Sequence, residues 1–146
     1  MGDLLLRTDG LTTDVALLTA RLFIGVCFVI HGLGKLGLVG SGNLNGFAGW
    51  LKSLGLPFPE LQARLAMAAE IGGGLLITFG FLERFGLLIC FFTMVMAAGL
   101  GHKGAGYLIT NNPPGNEYAL NLSVICVVLF LLGPGTYSVD ALLFHL

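Results

Sequence analysis

The sequence predicts an all-α fold, an integral membrane four-helix bundle with an interfacial helix in its first loop. Hydrophobic residues make up 55% of the 146 residues and charged residues only 10%, whereas a soluble domain averages about 25% charged residues. The mean hydropathy is +0.90, and four segments approach the length of about 20 mostly apolar residues that a membrane-crossing helix needs. The 23 glycines suit helices that pack closely in lipid.

Four predicted spans divide a single membrane domain, residues 1–146. They lie at about 15–36, 61–82, 85–101 and 117–132. Only Glu83 and Arg84 separate the second span from the third, which predicts a tight antiparallel hairpin. An even number of spans places both termini on one side of the membrane, which we call the terminal side. The two longer loops then lie on the opposite side, which we call the loop side. Lysines and arginines flank the spans on both sides, so the positive-inside rule does not fix the orientation.

The segments outside the spans have distinct patterns. The leading residues carry three acids and no small-residue cleavage site, so we expect the first span to be retained rather than removed as a signal peptide. Apolar residues recur at helical spacing over about 44–54, which predicts an interfacial helix anchored by Trp50; a plain connecting loop is the alternative. The tail, 136–146, follows a GPG break, and Ser138 is expected to cap a short helix on the membrane surface.

Glu70 is the strongest polar signal, because it lies about 13 Å into the second span at 1.5 Å per residue. A charge at this depth costs roughly 2.5–3.5 kcal/mol on insertion scales. A cation on another helix, a wet cavity or a proton must offset that cost. Small residues on the same helix stripe allow a second helix to approach closely. Such an approach brings the candidate cations within reach of Glu70: Lys35, Arg21 and His31.

The other polar residues of the spans converge on the loop side. His31 and Lys35 share one face of the first span, His102 follows the third, and Glu117 and Asn121 open the fourth. Arg21 is the exception, since it lies about 15 Å nearer the terminal side. An internal network that fixes the bundle and a binding or redox pocket both explain this convergence. A metal or haem site through the two histidines is a third interpretation, and our prediction is that the chain holds no metal, haem or flavin.

Several patterns exclude other classes. Cys27, Cys90 and Cys126 lie in three different apolar runs without a CxxC pair, so they are read as small apolar residues rather than a dithiol site. The GxGxxG match at 32–37 closes a membrane helix and follows no strand, which is the wrong context for a dinucleotide fingerprint. The net charge of −1 suggests no nucleic-acid partner.

Three stretches, together with His102, share an order and spacing that resembles a known family. They are Arg21-Leu-Phe-Ile-Gly25 running to His31-Gly32 and Lys35-Leu36, Glu70-Ile-Gly-Gly-Gly74 running to Gly80 and Arg84, and Gly133-Pro134-Gly135 followed by Ser138 and Asp140. With these motifs, over about residues 15–143, the chain resembles the DoxX family of small four-span membrane proteins. That family is related to the small subunit of thiosulfate:quinone oxidoreductase.

The resemblance implies a multi-pass protein of the bacterial inner membrane and a quinone-linked oxidoreductase subunit that needs a redox partner. The candidate catalytic or proton-relay residues are then Glu70, His31 and His102. Candidate contacts to a quinone or polar head group are Arg21, Lys35, Glu117 and Asn121. Two alternatives stay open: a non-enzymatic scaffold that docks a partner, and a membrane protein that binds a lipid or small molecule. The glycine-rich faces would also permit a homo-oligomer.

Overall fold

The computed structural model describes residues 9–145. Within that range all regular secondary structure is helical, and loops join the helices. The helices are α1 (Gly10–Leu36), α2 (Leu44–Ser53), α3 (Pro59–Phe79), α4 (Glu83–Met96), α5 (Glu117–Leu132) and α6 (Val139–Phe144). A π-helical turn, Ala97–Gly101, continues α4. The predicted all-α bundle with a helix in its first loop is confirmed.

The four long helices pack in a row. α1 lies against α3, α3 against α4, and α4 against α5, whereas α1 and α5 touch only slightly and leave a seam between them. α2 lies on the loop side and packs chiefly on α3 through Ala48, Leu51 and Ala63. By length and composition, Gly10–Leu36 and Glu83–Gly101 can each cross a membrane, and α5 is a shorter apolar helix.

The helix ends differ from the expected bounds where capping residues decide them. α1 begins at Gly10 rather than near residue 15, because the Asp9 carboxylate accepts the Thr12 N–H at 2.7 Å. Hydrogen bonds from Thr12 also hold the pKa of the Asp9 carboxyl below its usual range. The turn between α3 and α4 is Gly80–Leu82, and not Glu83–Arg84 as the sequence suggested. Glu83 is instead the first residue of α4 and is completely buried.

Glycines permit a close crossing of α1 and α3. A Cβ atom placed on Gly25 would lie 2.6 Å from the Gly74 carbonyl oxygen, and one on Gly74 would lie 2.7 Å from the Gly25 oxygen. Both distances are far inside van der Waals contact, so the two backbones touch through these residues. In lipid, where the hydrophobic effect does not press helices together, such close packing is a principal source of helix association.

A buried polar cluster closes the terminal side of the bundle. Its members are Arg21, Glu83, Ser138 and Asp140, and we call it the terminal-side cluster. The Asp140 carboxylate accepts the N–H groups of Leu82 and Glu83 at 2.8 and 3.0 Å, which satisfies two donors at the start of α4. As predicted, Ser138 caps α6, by accepting the Ala141 N–H at 3.0 Å.

Arg21 joins α1 to this cluster. It is 1% exposed, donates to the Tyr137 carbonyl oxygen, and lies within electrostatic range of both Glu83 and Asp140. Gly80 passes directly beneath its guanidinium, with a left-handed φ of 61° and no room for a Cβ atom. The terminal-side cluster therefore fastens α1, the α3–α4 turn and α6 to one another.

Substituting Gly74 by Ala should lower the free energy of unfolding by about 1–3 kcal/mol, the usual cost of overpacking. The added methyl meets the α1 backbone, which cannot move without opening the crossing. Gly72→Ala is the matched control, because a Cβ atom at Gly72 meets nothing within 4 Å. Thermal unfolding in a mild detergent measures both, and equal melting temperatures would contradict the proposed close crossing.

Arg21→Met should destabilise the protein by about 1–3 kcal/mol, because it removes the hydrogen bond to the Tyr137 carbonyl oxygen and the positive charge near the buried acids Glu83 and Asp140. The exposed Arg64 of α3 supplies the control, Arg64→Met, for which we expect a change within about 0.5 kcal/mol. Unfolding by denaturant in detergent compares the two variants. A stable Arg21→Met protein would show that the terminal-side cluster does not fasten the bundle.

Candidate functional site

Glu70 pairs with Lys35. The Lys35 Nζ atom lies 2.7 Å from Glu70 Oε1 and 2.6 Å from Oε2, so one ammonium group bridges both carboxylate oxygens. Glu70 is 2% exposed in the middle of α3, whereas the Lys35 side chain is 19% exposed in the last turn of α1. Of the three cations expected to reach Glu70, Lys35 is the one that binds it.

The close crossing of α1 and α3 makes this pair possible. One turn before Lys35, a Cβ atom on Gly32 would lie 3.1 Å from the Met67 carbonyl oxygen, so the two backbones stay close up to the loop side. The Lys35 ammonium also lies 5.0 Å from the centre of the Phe47 ring of α2, within the range of a cation–π interaction. A carboxylate on one side and an aromatic ring on the other thus fix the cation.

A cavity of about 500 Å³ adjoins the ion pair in the loop-side half of the bundle. Its wall is mostly aliphatic and aromatic, with the rings of Phe47, Trp50 and Phe92 facing the space. Polar side chains interrupt this wall at a few positions: His31, Lys35, Gln62, Glu70, Thr93, His102 and Tyr118. An apolar cavity with a few convergent polar groups is the usual form of a small-molecule site.

The helix α2 and the π-helical turn close the loop-side end of the cavity. A Cβ atom on Gly101 would lie 2.6 Å from the Trp50 ring, so the indole rests directly on the π-helical backbone. π-Helical turns are frequent at functional sites because they shift the register of the residues that follow. Here the residue that follows is His102, whose Nδ1 atom lies 2.8 Å from the Pro114 carbonyl oxygen. A carbonyl oxygen only accepts, so Nδ1 is the donor in this hydrogen bond.

His31 and Tyr118 meet where the cavity reaches the seam between α1 and α5. Their ring centres are 4.8 Å apart with planes inclined at 38°. The Tyr118 hydroxyl lies 3.7 Å from the Cys27 sulfur atom. His31 is exposed and Tyr118 is half-buried, so this pair forms the border between the cavity and the lipid-facing surface.

The structure divides the seven candidate residues into two sets. Those that line the cavity are Glu70, His31, His102 and Lys35. Arg21 lies instead in the terminal-side cluster. Glu117 accepts the Ile109 N–H at 3.0 Å and Asn121 accepts the Tyr107 hydroxyl at 3.3 Å, so both organise the 102–116 loop outside the cavity.

Sequence reasoning missed Tyr118 and Glu83. Tyr118 follows Glu117 directly, and one residue along a helix turns the side chain by about 100°. That rotation takes Tyr118 to the cavity and Glu117 to the loop. For Glu83, its position between two apolar runs suggested a linker, and only the partners supplied by α1 and α6 reveal a buried site.

Metal ligation has no geometric support among residues 9–145, where no group of three or more His, Cys, Asp or Glu side chains comes together. The three cysteines are free thiols. The polar groups that line the cavity are therefore the Lys35–Glu70 ion pair, two imidazoles, a phenol, an amide and a hydroxyl.

The comparisons with known proteins agree with the motifs. The model of the DoxX family matches residues 16–103. The inner membrane protein YqjF of Escherichia coli (strain K12) is 30% identical over 135 residues, which cover 89% of this chain and 93% of the relative. The inner membrane protein YphA of the same organism is 29% identical over 135 residues, covering 90% of this chain and 92% of the relative.

No solved structure matches the chain. The family match covers more than half of the sequence, and both relatives align over nearly their whole length. The predicted resemblance and the predicted location are thereby confirmed: the chain belongs to the DoxX family and is an integral inner-membrane protein.

Proposed function

We propose that this protein is the quinone-binding membrane subunit of an oxidoreductase, and that the cavity beside Lys35 and Glu70 receives the quinone ring. The observation that carries the proposal is the ion pair at the edge of an aromatic-walled cavity of about 500 Å³. A pair that served only the bundle would be expected to have packed side chains on every side. The Lys35 side chain is instead 19% exposed and borders the open space, while Glu70, 2% exposed, anchors it from within α3.

The residues of the cavity fit a quinone in shape and in hydrogen bonding. A flat ring can lie between Trp50 and Phe92, and its carbonyl oxygens need donors. Lys35 has three N–H donors and directs hydrogen bonds to the two oxygens of Glu70, so one donor remains. Tyr118 also lines the cavity and carries a second hydroxyl donor, which lies 3.7 Å from the Cys27 sulfur atom.

The charge on Lys35 suits a group whose oxygens become more negative on reduction. A bound quinone would take up two electrons and two protons at its carbonyl oxygens, the electrons coming from a redox partner protein. Lys35 stabilises negative charge where it develops, because the ammonium is already oriented by Glu70 and needs no rearrangement. His31 lines the same cavity, and in this proposal it is the proton donor to the quinone.

The single tryptophan makes the proposal directly testable, because Trp50 lies in the cavity wall. A quinone bound beside the indole should quench its fluorescence in a saturable titration of the purified protein. Glu70→Gln should weaken binding about tenfold, because it removes the carboxylate that orients the Lys35 donor, and a charge-assisted hydrogen bond contributes roughly 1.5–3 kcal/mol. Glu117→Gln is the matched control, because that acid lies outside the cavity, and its titration should equal that of the wild type.

Failure of this titration has two distinguishable forms. If quinone does not quench Trp50 in the wild-type protein, the quinone proposal is wrong. If quinone quenches but both Gln variants bind as the wild type does, the ring lies elsewhere in the cavity. If quinone does not quench Trp50 and Glu70→Gln lowers the melting temperature, the alternative is favoured: a docking subunit whose ion pair serves the bundle.

The double variant Lys35→Met with Glu70→Met separates stability from binding. Removing one partner leaves a buried charge and should cost about 3–5 kcal/mol, whereas apolar replacement of both is often neutral or stabilising. We expect the double variant to melt near the wild-type temperature and to lose quinone quenching. Retained quenching would show that the ion pair has no part in binding.

A further inference from the structure

A second apolar space lies outside the cavity, on the lipid-facing side of α1. It is a shallow groove of about 510 Å³. The α1 side chains that line it are Leu22, Phe23, Val26, Cys27, Ile30 and His31. Apart from the imidazole of His31 and the thiol of Cys27, the lining is entirely hydrocarbon, and it offers nothing to a polar group.

The groove is continuous with the cavity at one residue. His31 lines both spaces, and it lies at the seam where α1 and α5 touch only slightly. Tyr118 occupies the seam at this level, with its ring 4.8 Å from that of His31 and its hydroxyl 3.7 Å from the Cys27 sulfur atom. Two side chains rather than a packed helix interface therefore separate the groove from the cavity.

The direction of the groove matches that of an amphipathic molecule in one leaflet. From Leu22 to His31 the helix rises about 14 Å. Leu22 lies near the middle of α1 and His31 near its loop-side end. A molecule whose head occupied the cavity would thus extend its tail toward the centre of the bilayer, parallel to the lipid chains.

We propose that the groove holds the hydrocarbon tail of the quinone whose ring occupies the cavity, and that the tail crosses the seam beside His31, the residue that lines both spaces. This inference rests on the proposed function. It assigns to the site a membrane quinone with a long chain rather than a water-soluble quinone. Because lipid is as apolar as the groove, the tail gains van der Waals packing along α1 rather than burial from water, and this packing adds to affinity.

The test compares two quinones with the same ring, one with a decyl tail and one without a tail, by quenching of Trp50. The test variant is Val26→Phe, which fills the groove. The matched control is Val124→Phe, the same change on the lipid-facing side of α5. Val124 is 60% exposed and Val26 is 45% exposed. All titrations use one detergent at one concentration. The tailed quinone then partitions into micelles to the same extent in every titration, so this partition does not affect the ratio of variant to wild-type affinity.

We expect Val26→Phe to weaken binding of the decyl quinone at least tenfold and to leave the tail-less quinone unchanged. Val124→Phe should bind both quinones as the wild type does. If Val26→Phe binds the decyl quinone normally, or weakens both quinones equally, the tail assignment is wrong while the quinone site stands. If neither quinone quenches Trp50 in the wild type, the proposed function itself fails.

Discussion

The bidentate contact between the Lys35 ammonium and the Glu70 carboxylate sets the geometry of the loop-side half of the bundle. A carboxylate in a membrane helix needs a compensating cation, and a lysine side chain reaches it only if the helix axes stay close. Gly25, Gly32 and Gly74 supply that closeness, since a Cβ atom at any of them would meet the opposite helix. The glycines and the ion pair are therefore parts of one constraint.

The chain meets the cost of buried charge in two different ways. On the terminal side, Arg21 and Asp140 bind backbone groups, and the cluster ties three segments together. On the loop side, Lys35 and Glu70 bind each other and border a cavity. The first arrangement holds the fold and lines no part of the cavity, and within residues 9–145 both Glu83 carboxyl oxygens in it lack a hydrogen-bond partner. The second leaves a lysine donor facing open space, which is why we place function there and not in the terminal-side cluster.

Local signals made the helices, the amphipathic α2 and the need of Glu70 for compensation predictable, because each depends on spacing within one helix or on the cost of one charge. Which of Lys35, Arg21 and His31 pairs with Glu70 was settled only by the crossing of α1 and α3. The division of the remaining polar residues was not predictable in this way. Glu117 lies on the correct side of the membrane, yet a rotation of one residue gives the cavity to Tyr118 instead. The π-helical turn and the partners of Glu83 depend on contacts between distant segments, for which the sequence carries no local pattern.

The surrounding bilayer strengthens the case for an amphipathic ligand. A cavity that meets the lipid-facing surface at a seam is accessible to hydrocarbon chains, which pack well against Trp50 and Phe92 but cannot hydrogen-bond to Lys35. A polar group beside Lys35 would accept a hydrogen bond from the N–H donor that Glu70 leaves free. A hydrocarbon chain along α1 would meet only apolar side chains and the edge of His31. The molecule that satisfies both surfaces at once has a hydrogen-bonding ring and a long tail.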